Sequence, residues 1–209
     1  MRRLTLVLAI AASAACDSPD TSPDSERSEP PPTAFDGALV TEASSKIAHG
    51  KRIADVLGCT GCHGAGLQGK RFYELYATNL TRDLHDYSDA ELIRLLRDVV
   101  RPDRRDVWGM PSEIFQHLSE PDLGALVADV RSLLPAGPPT QPPLPFEPET
   151  RKLIAEGKIK PAAAFVRETR SLGPADLGPR HALGRYVTRV SCAECMVPSS
   201  KALPMARPT

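Results

Sequence analysis

The sequence predicts an all-α protein, and three observations carry that prediction. Three stretches between Ser45 and Pro135 repeat their apolar residues at helical spacing. Two of them open on a serine followed three residues later by an acidic residue, the signature of a capped helix start. No convincing strand pattern appears between Lys46 and Leu134.

The first helix is expected over Ser45 to Leu57, where Ile47, Ala54 and Leu57 share one face. Gly50 lies on the same stripe, so another helix can cross closely there. The second is announced by SDAELIRLLRDVV. Ser88 is the N-cap, Glu91 completes the capping box, and Leu92, Leu95, Leu96 and Val99 form the stripe. The third is SEPDLGALVADVRSLL. Ser119 caps it, Asp122 makes a box-like pair, and Leu123, Leu126, Val127, Val130, Leu133 and Leu134 form the stripe. Pro135 ends it. A domain of roughly 90 residues is small for a core of its own, and a cofactor could supply part of that core.

Cys59-Thr60-Gly61-Cys62-His63 names the cofactor. Two thiols on one turn can form thioethers with the two vinyl groups of a haem, and the next residue, His63, then lies under the iron. A zinc half-site completed by Cys192 and Cys195, or a redox-active pair, are the other readings of this spacing. The adjacent histidine, the preceding amphipathic helix and an export signal favour haem. Met110 is the candidate sixth ligand, in a loop between the second and third helices. Pro111 keeps Met110 out of helical geometry, and a thioether raises the haem potential. Gap-filling in the core is the other role for Met110, and His117 is its main rival as ligand. His49 and His85 are expected to face solvent.

With these residues in place the chain resembles class I cytochrome c domains, and more closely the bacterial diheme cytochrome c family. The resemblance covers about Ser45 to Pro135. It is carried by GCTGCHG, YATNLTRD, YSDAELIRLLRD and MPSEIFQHLSEPDLGALVADVRSLLP. It implies a small cytochrome c fold around one haem c, held covalently by Cys59 and Cys62 and ligated axially by His63 and Met110. It further implies that the loop at Asn79-Leu80-Thr81 and Trp108 lie near the haem edge. The family's third helix usually carries tyrosine where this chain has Asp129. Relatives serve as electron-transfer subunits of periplasmic dehydrogenases or as thiosulfate-oxidising enzymes.

The flanks have a different composition. The chain has 209 residues, 26 basic and 26 acidic, so nothing argues for nucleic acid or for a strongly charged partner. With 21 prolines and 5% aromatics, much of it reads as linker. The five cysteines fall as one singlet and two C-x-x-C pairs, unlike a disulfide framework. Residues 1–15 read as a signal peptide: Arg2 and Arg3, then an apolar run from Leu4 to Ala12 too short to span a bilayer comfortably. Cys16 follows as a lipidation candidate, although Ser13 makes the lipobox imperfect. An ordinary secretory peptide with an incidental cysteine is the alternative. Residues 16–44, rich in Asp, Ser, Pro and Glu, read as a lipidated disordered tether on the periplasmic face of the cell membrane, or free in the periplasm.

Beyond the domain, residues 136–150 read as a stiff proline-rich linker. Residues 151–209 read as a truncated, degenerate second cytochrome c-like segment, with a helix expected over Arg151 to Phe165. Gly184 precedes Cys192 by eight residues and Gly50 precedes Cys59 by nine, which suggests an internal repeat. Met196 stands where the second motif, Cys192 and Cys195, needs histidine. No second haem, a poorly ordered C-terminal region and a Cys192–Cys195 pair are therefore expected. A single-base slip after Cys195 would account for Met196: one restored C turns ATG into a histidine codon followed by an obligatory glycine codon. Genuine decay of the site is the alternative.

The expected function is one-electron transfer between redox donor and acceptor proteins, with no general acid, base or nucleophile constellation of the chain's own. The alternatives are a haem subunit of a dehydrogenase, a thiosulfate-oxidising or peroxidase-like site with an open iron position, and a non-functional truncated remnant.

Overall fold

The computed structural model describes residues 33–103, 105–142 and 144–193. Of these, 51% are helical and 4% are in strands, so the chain is mostly helical. Cys16, Cys195 and Met196, with the expectations that rest on them, lie outside the described residues.

Helix α1 spans Ala43–Val56. Its cap is Glu42, whose carboxylate accepts from the Ser44 and Ser45 amides. Those bonds hold the exposed carboxyl down at about 2. Helix α2, Cys59–His63, follows across Gly58, which takes a left-handed φ of 72° and turns the chain out of α1. Short helix α3 spans Leu80–Asp83, and α4 spans Asp89–Asp98 with both capping-box bonds between Ser88 and Glu91 formed. Helix α5 spans Ser112–Phe115, and α6 spans Glu120–Ser132 with Ser119 as its cap. The helix stops at Ser132, so Leu134 leaves the apolar stripe and is 83% exposed.

Two short strands correct the strand-free expectation. β1 (Lys70–Phe72) pairs antiparallel with β2 (Leu75–Ala77), with Phe72 opposite Leu75. Three residues per strand are too few to show alternation. The turn residues Tyr73 and Glu74 lack the usual Asn-Gly signal, and Tyr73 takes a φ of 53°.

Helices α1 and α6 cross at Gly50. A Cβ there would lie 2.0 Å from the Ala125 carbonyl oxygen and 2.9 Å from Asp129 Cβ. Around the crossing, Ile53, Ala54, Leu57, Ile114, Phe115, Leu118, Leu123 and Leu126 form the main core. Side chains as buried as Ile53 and Leu123 each stabilise the fold by roughly 1.5–3 kcal/mol. A second cluster joins Leu84, Leu92 and Leu95 to Val127.

The folded body begins earlier than expected, inside the stretch assigned to the tether. Phe35 packs against the main core, Ala38 is buried, and the Asp36 carbonyl accepts from Arg52 at 2.7 Å. His49, expected at the surface, is buried. It meets Asp122 Oδ1 at 2.7 Å through Nε2 and Arg52 at 2.6 Å through Nδ1. Arginine only donates, so Nδ1 accepts and Nε2 carries the proton toward Asp122. Asp122 is fully buried and also accepts from the Phe35 amide, the Ser119 hydroxyl and the Tyr186 hydroxyl. His49 falls on the α6-facing side of α1, beside Gly50, and the buried carboxylate of Asp122 holds it there.

Most of residues 148–193 is helical, and α8, Tyr186 and Val190 pack on the body, which corrects the expectation of poor order for this part of the C-terminal region. The single helix expected over Arg151 to Phe165 is two, α7 (Pro148–Ala155) and α8 (Ala162–Thr169). Gly157, with a φ of 69°, and Pro161 divide them. Helix α8 buries Ala162 and Val166 against Val99, and the Ala162 amide donates to the Val107 carbonyl at 2.8 Å. Helix α9 (Ala182–Val187) runs into a π-helical turn, Thr188–Cys192. Val190 in that turn is fully buried within the main core, and Tyr186 packs beside it.

Candidate cofactor site

Cys59, Cys62 and His63 lie on α2, and all three are half-buried. Burial pushes the Cys59 thiol up to about 11, so it stays protonated near neutral pH. Burial likewise lowers the pKa of His63, which favours a neutral ring. The His63 Nδ1 lies 2.8 Å from the Thr78 carbonyl. A carbonyl only accepts, so Nδ1 carries the proton and Nε2 keeps its lone pair.

The loop after α2 is folded tightly to bring Thr78 there. The Gly69 amide donates to the His63 carbonyl at 2.9 Å, and the Leu80 amide donates to the Leu67 carbonyl at 2.8 Å. Gly69 has a φ of 81°, and a Cβ on it would lie 2.6 Å from the Ala77 carbonyl and 3.1 Å from the Thr78 carbonyl carbon. Only glycine lets these two stretches of backbone approach so closely.

Met110 precedes α5. Gly109 turns the chain with a φ of 70°, and the Ser112 amide donates back to the Met110 carbonyl at 2.8 Å. Met110 and Cys59 each pack against the main apolar cluster. Ser112, fully buried, has no hydrogen-bond partner for its hydroxyl among the described residues. An orphaned hydroxyl beside such a loop is compatible with a site completed by a further group. Two thiols on one turn, an imidazole whose Nε2 has no partner among the described residues and a thioether on the same apolar cluster are a donor set that can hold a covalently attached haem. Among the described residues, no three His, Cys, Asp or Glu side chains converge on a bare metal site.

The other candidates fall elsewhere. His117 is half-buried, and burial together with Arg189 and Arg170 lowers it to about 4. His85 is exposed, with Nε2 at 3.1 Å from the Leu133 carbonyl. Cys192 is exposed at the end of the π-helical turn. Trp108 stacks edge-on against Phe146 of the proline-rich segment, with ring centroids 5.2 Å apart. Asp129 is 5% exposed at the α1–α6 crossing, and burial raises its carboxyl while Lys51 opposes the shift.

No protein-family model matches the chain, and no curated protein does. Sequence reasoning singled out Cys59, Cys62, His63 and Met110, and it missed Thr78. A backbone carbonyl leaves no residue-type signal, and only the glycine at position 69 hinted at the close approach.

Proposed function

We propose that the chain is an exported c-type cytochrome of the class I fold that carries single electrons between a donor and an acceptor protein. The observation that carries this reading is the state of His63: one ring nitrogen is bound to the Thr78 carbonyl and the other has no partner among the described residues, on the same helix as Cys59 and Cys62. Bound haem c would supply a reversible one-electron couple. Cys59 and Cys62 would tether it, and His63 and Met110 would hold its iron. The Thr78 carbonyl fixes the His63 tautomer and makes the ring a better donor. The Met110 thioether, a soft ligand, favours the reduced state. The apolar cluster behind Cys59 and Met110 keeps water from that side. Lipid on Cys16 would hold the protein at the periplasmic face of the membrane.

A pyridine haemochrome spectrum of the exported protein tests the reading, with one haem per chain expected. His63→Ala should lose stable covalent haem and much of its helical circular dichroism. A His63→Ala protein that stays helical, haem-bound and redox-active would refute the ligand assignment.

A further inference from the structure

We propose that the proline-rich segment after α6 is a strap that positions His63, and that Asn79 is the positioning residue through which it acts. The consequence for redox behaviour rests on the haem reading above; the mechanical coupling does not.

Asn79 adjoins Thr78, whose carbonyl accepts from His63, and it is fully buried. Its side chain faces two ways. Oδ1 accepts from the Thr81 amide at 3.0 Å and the Thr81 hydroxyl at 2.7 Å, capping α3. Nδ2 donates to the carbonyls of Ala136 and Pro138 at 2.8 and 2.7 Å. Its backbone amide donates to the Thr140 hydroxyl at 2.8 Å. Residues on either side reinforce the grip. The Thr81 hydroxyl accepts from the Ala136 amide, and Arg82 Nε donates to the Gly137 carbonyl at 2.9 Å. Further along, the Glu147 amide and the Thr150 hydroxyl both donate to Glu74, in the turn of the β1–β2 hairpin.

The Thr78 peptide is thus gripped from two directions. Gly69 backs it from within the loop, and the strap holds Asn79 from outside. A composition that reads as linker therefore acts as a brace. A proline fixes its own φ, so a proline-rich strap has little entropy to lose on binding. Its carbonyls, which a proline-rich run cannot satisfy internally, take up the donors of Asn79. Loosening the strap frees the Thr78 carbonyl, and the His63 ring loses the acceptor that fixes its tautomer and its basicity.

Two variants of the full chain test this. Thr140→Val removes the acceptor for the Asn79 amide and leaves the Asn79 side chain intact. Asn79→Asp keeps the Oδ1 cap on Thr81 and places an acceptor against the Ala136 and Pro138 carbonyls. Nitrogen-edited NMR of the His63 ring reads the coupling directly: Nδ1–H should exchange with water roughly 10-fold faster in either folded variant, the change that loss of one ordinary hydrogen bond allows. In haem-loaded protein the reduction potential should also rise, because a poorer imidazole donor stabilises the oxidised state less. Wild-type ring exchange in folded Thr140→Val would overturn the proposal, whether or not Asn79→Asp folds. Absence of haem in the haemochrome assay would count against the proposed function alone, since ring exchange is read without it.

Discussion

Gly50 and Gly184 sit at similar distances before a C-x-x-C pair, each within a helix, and the fold uses them differently. At Gly50 a second helix crosses so closely that a Cβ would overlap the Ala125 backbone. At Gly184 a Cβ would meet nothing within 4 Å. Helix α1 ends before Gly58, whose left-handed turn leads into the short helix α2 that carries Cys59 and Cys62. Helix α9 instead widens into a π-helical turn whose Val190 is buried in the core built by α1 and α6. A glycine on an apolar stripe marks a helix crossing only where a partner helix arrives. Here the contact is made by Tyr186 of α9 and Val190 of the π-helical turn, which pack on the same core.

Substitutions at four positions sharpen this contrast. The largest effect is expected for Gly50→Ala, which forces α1 and α6 apart against backbone atoms. Overpacking usually costs about 1–3 kcal/mol, and a clash with a carbonyl should reach or exceed the top of that range. Chemical denaturation reads it, and a loss below about 1 kcal/mol would mean the crossing is soft. Next comes Tyr186→Phe. The Tyr186 hydroxyl donates to Asp122 at 2.6 Å and accepts from the Ser119 amide at 3.0 Å. Removing it takes a donor from the carboxylate and the acceptor from the amide, and should cost about 1–3 kcal/mol. An unchanged midpoint would show that α9 is not braced by Asp122.

Asp129→Asn should act in the opposite direction. A carboxyl raised by burial favours folding when protonated, and that contribution is lost as pH rises through its folded-state value. The variant should therefore melt higher than wild type at pH 7, and the gap should close below the ordinary value of 3.8. A gap that persists at low pH would point to packing instead of charge. The smallest effect belongs to Gly184→Ala. With open space around it and a helical backbone, alanine should stabilise by roughly 0.5–1 kcal/mol. Measurable destabilisation there would restore the idea that something packs on that glycine.

The helices were legible where capping and periodicity coincide. Ser88 with Glu91, and Ser119 with the stripe from Leu123 to Val127, mark α4 and α6 almost to the residue. Gly50 announced the crossing, and Cys59 to His63 marked the candidate site. What stayed hidden depends on partners distant in sequence. His49 has an ordinary helical neighbourhood, and its burial follows from Asp122, 73 residues away. Phe35 and Ala38 lie in a stretch whose average composition reads as tether, and two apolar residues do not outweigh that average. The proline-rich segment has no periodicity of its own; its place is set by carbonyl acceptors for Asn79. Gly157 and Pro161 were visible breakers, and the apolar run around them hid the division into α7 and α8.

The Asp122 carboxylate also bears on the order in which the molecule can assemble. It joins Phe35, 87 residues upstream, and Tyr186, 64 residues downstream, to a single acceptor. Closing loops of that length costs similar entropy, because the cost grows only with the logarithm of length. Chain order then separates the two events. Phe35 and His49 are already present when Asp122 emerges, so α1 and α6 can pair at once. Tyr186 emerges only later, against a pocket whose other donors are in position. On that order helix α9 closes as a latch on a pre-assembled pair, and its rate of closing can be altered without touching the α1–α6 pairing.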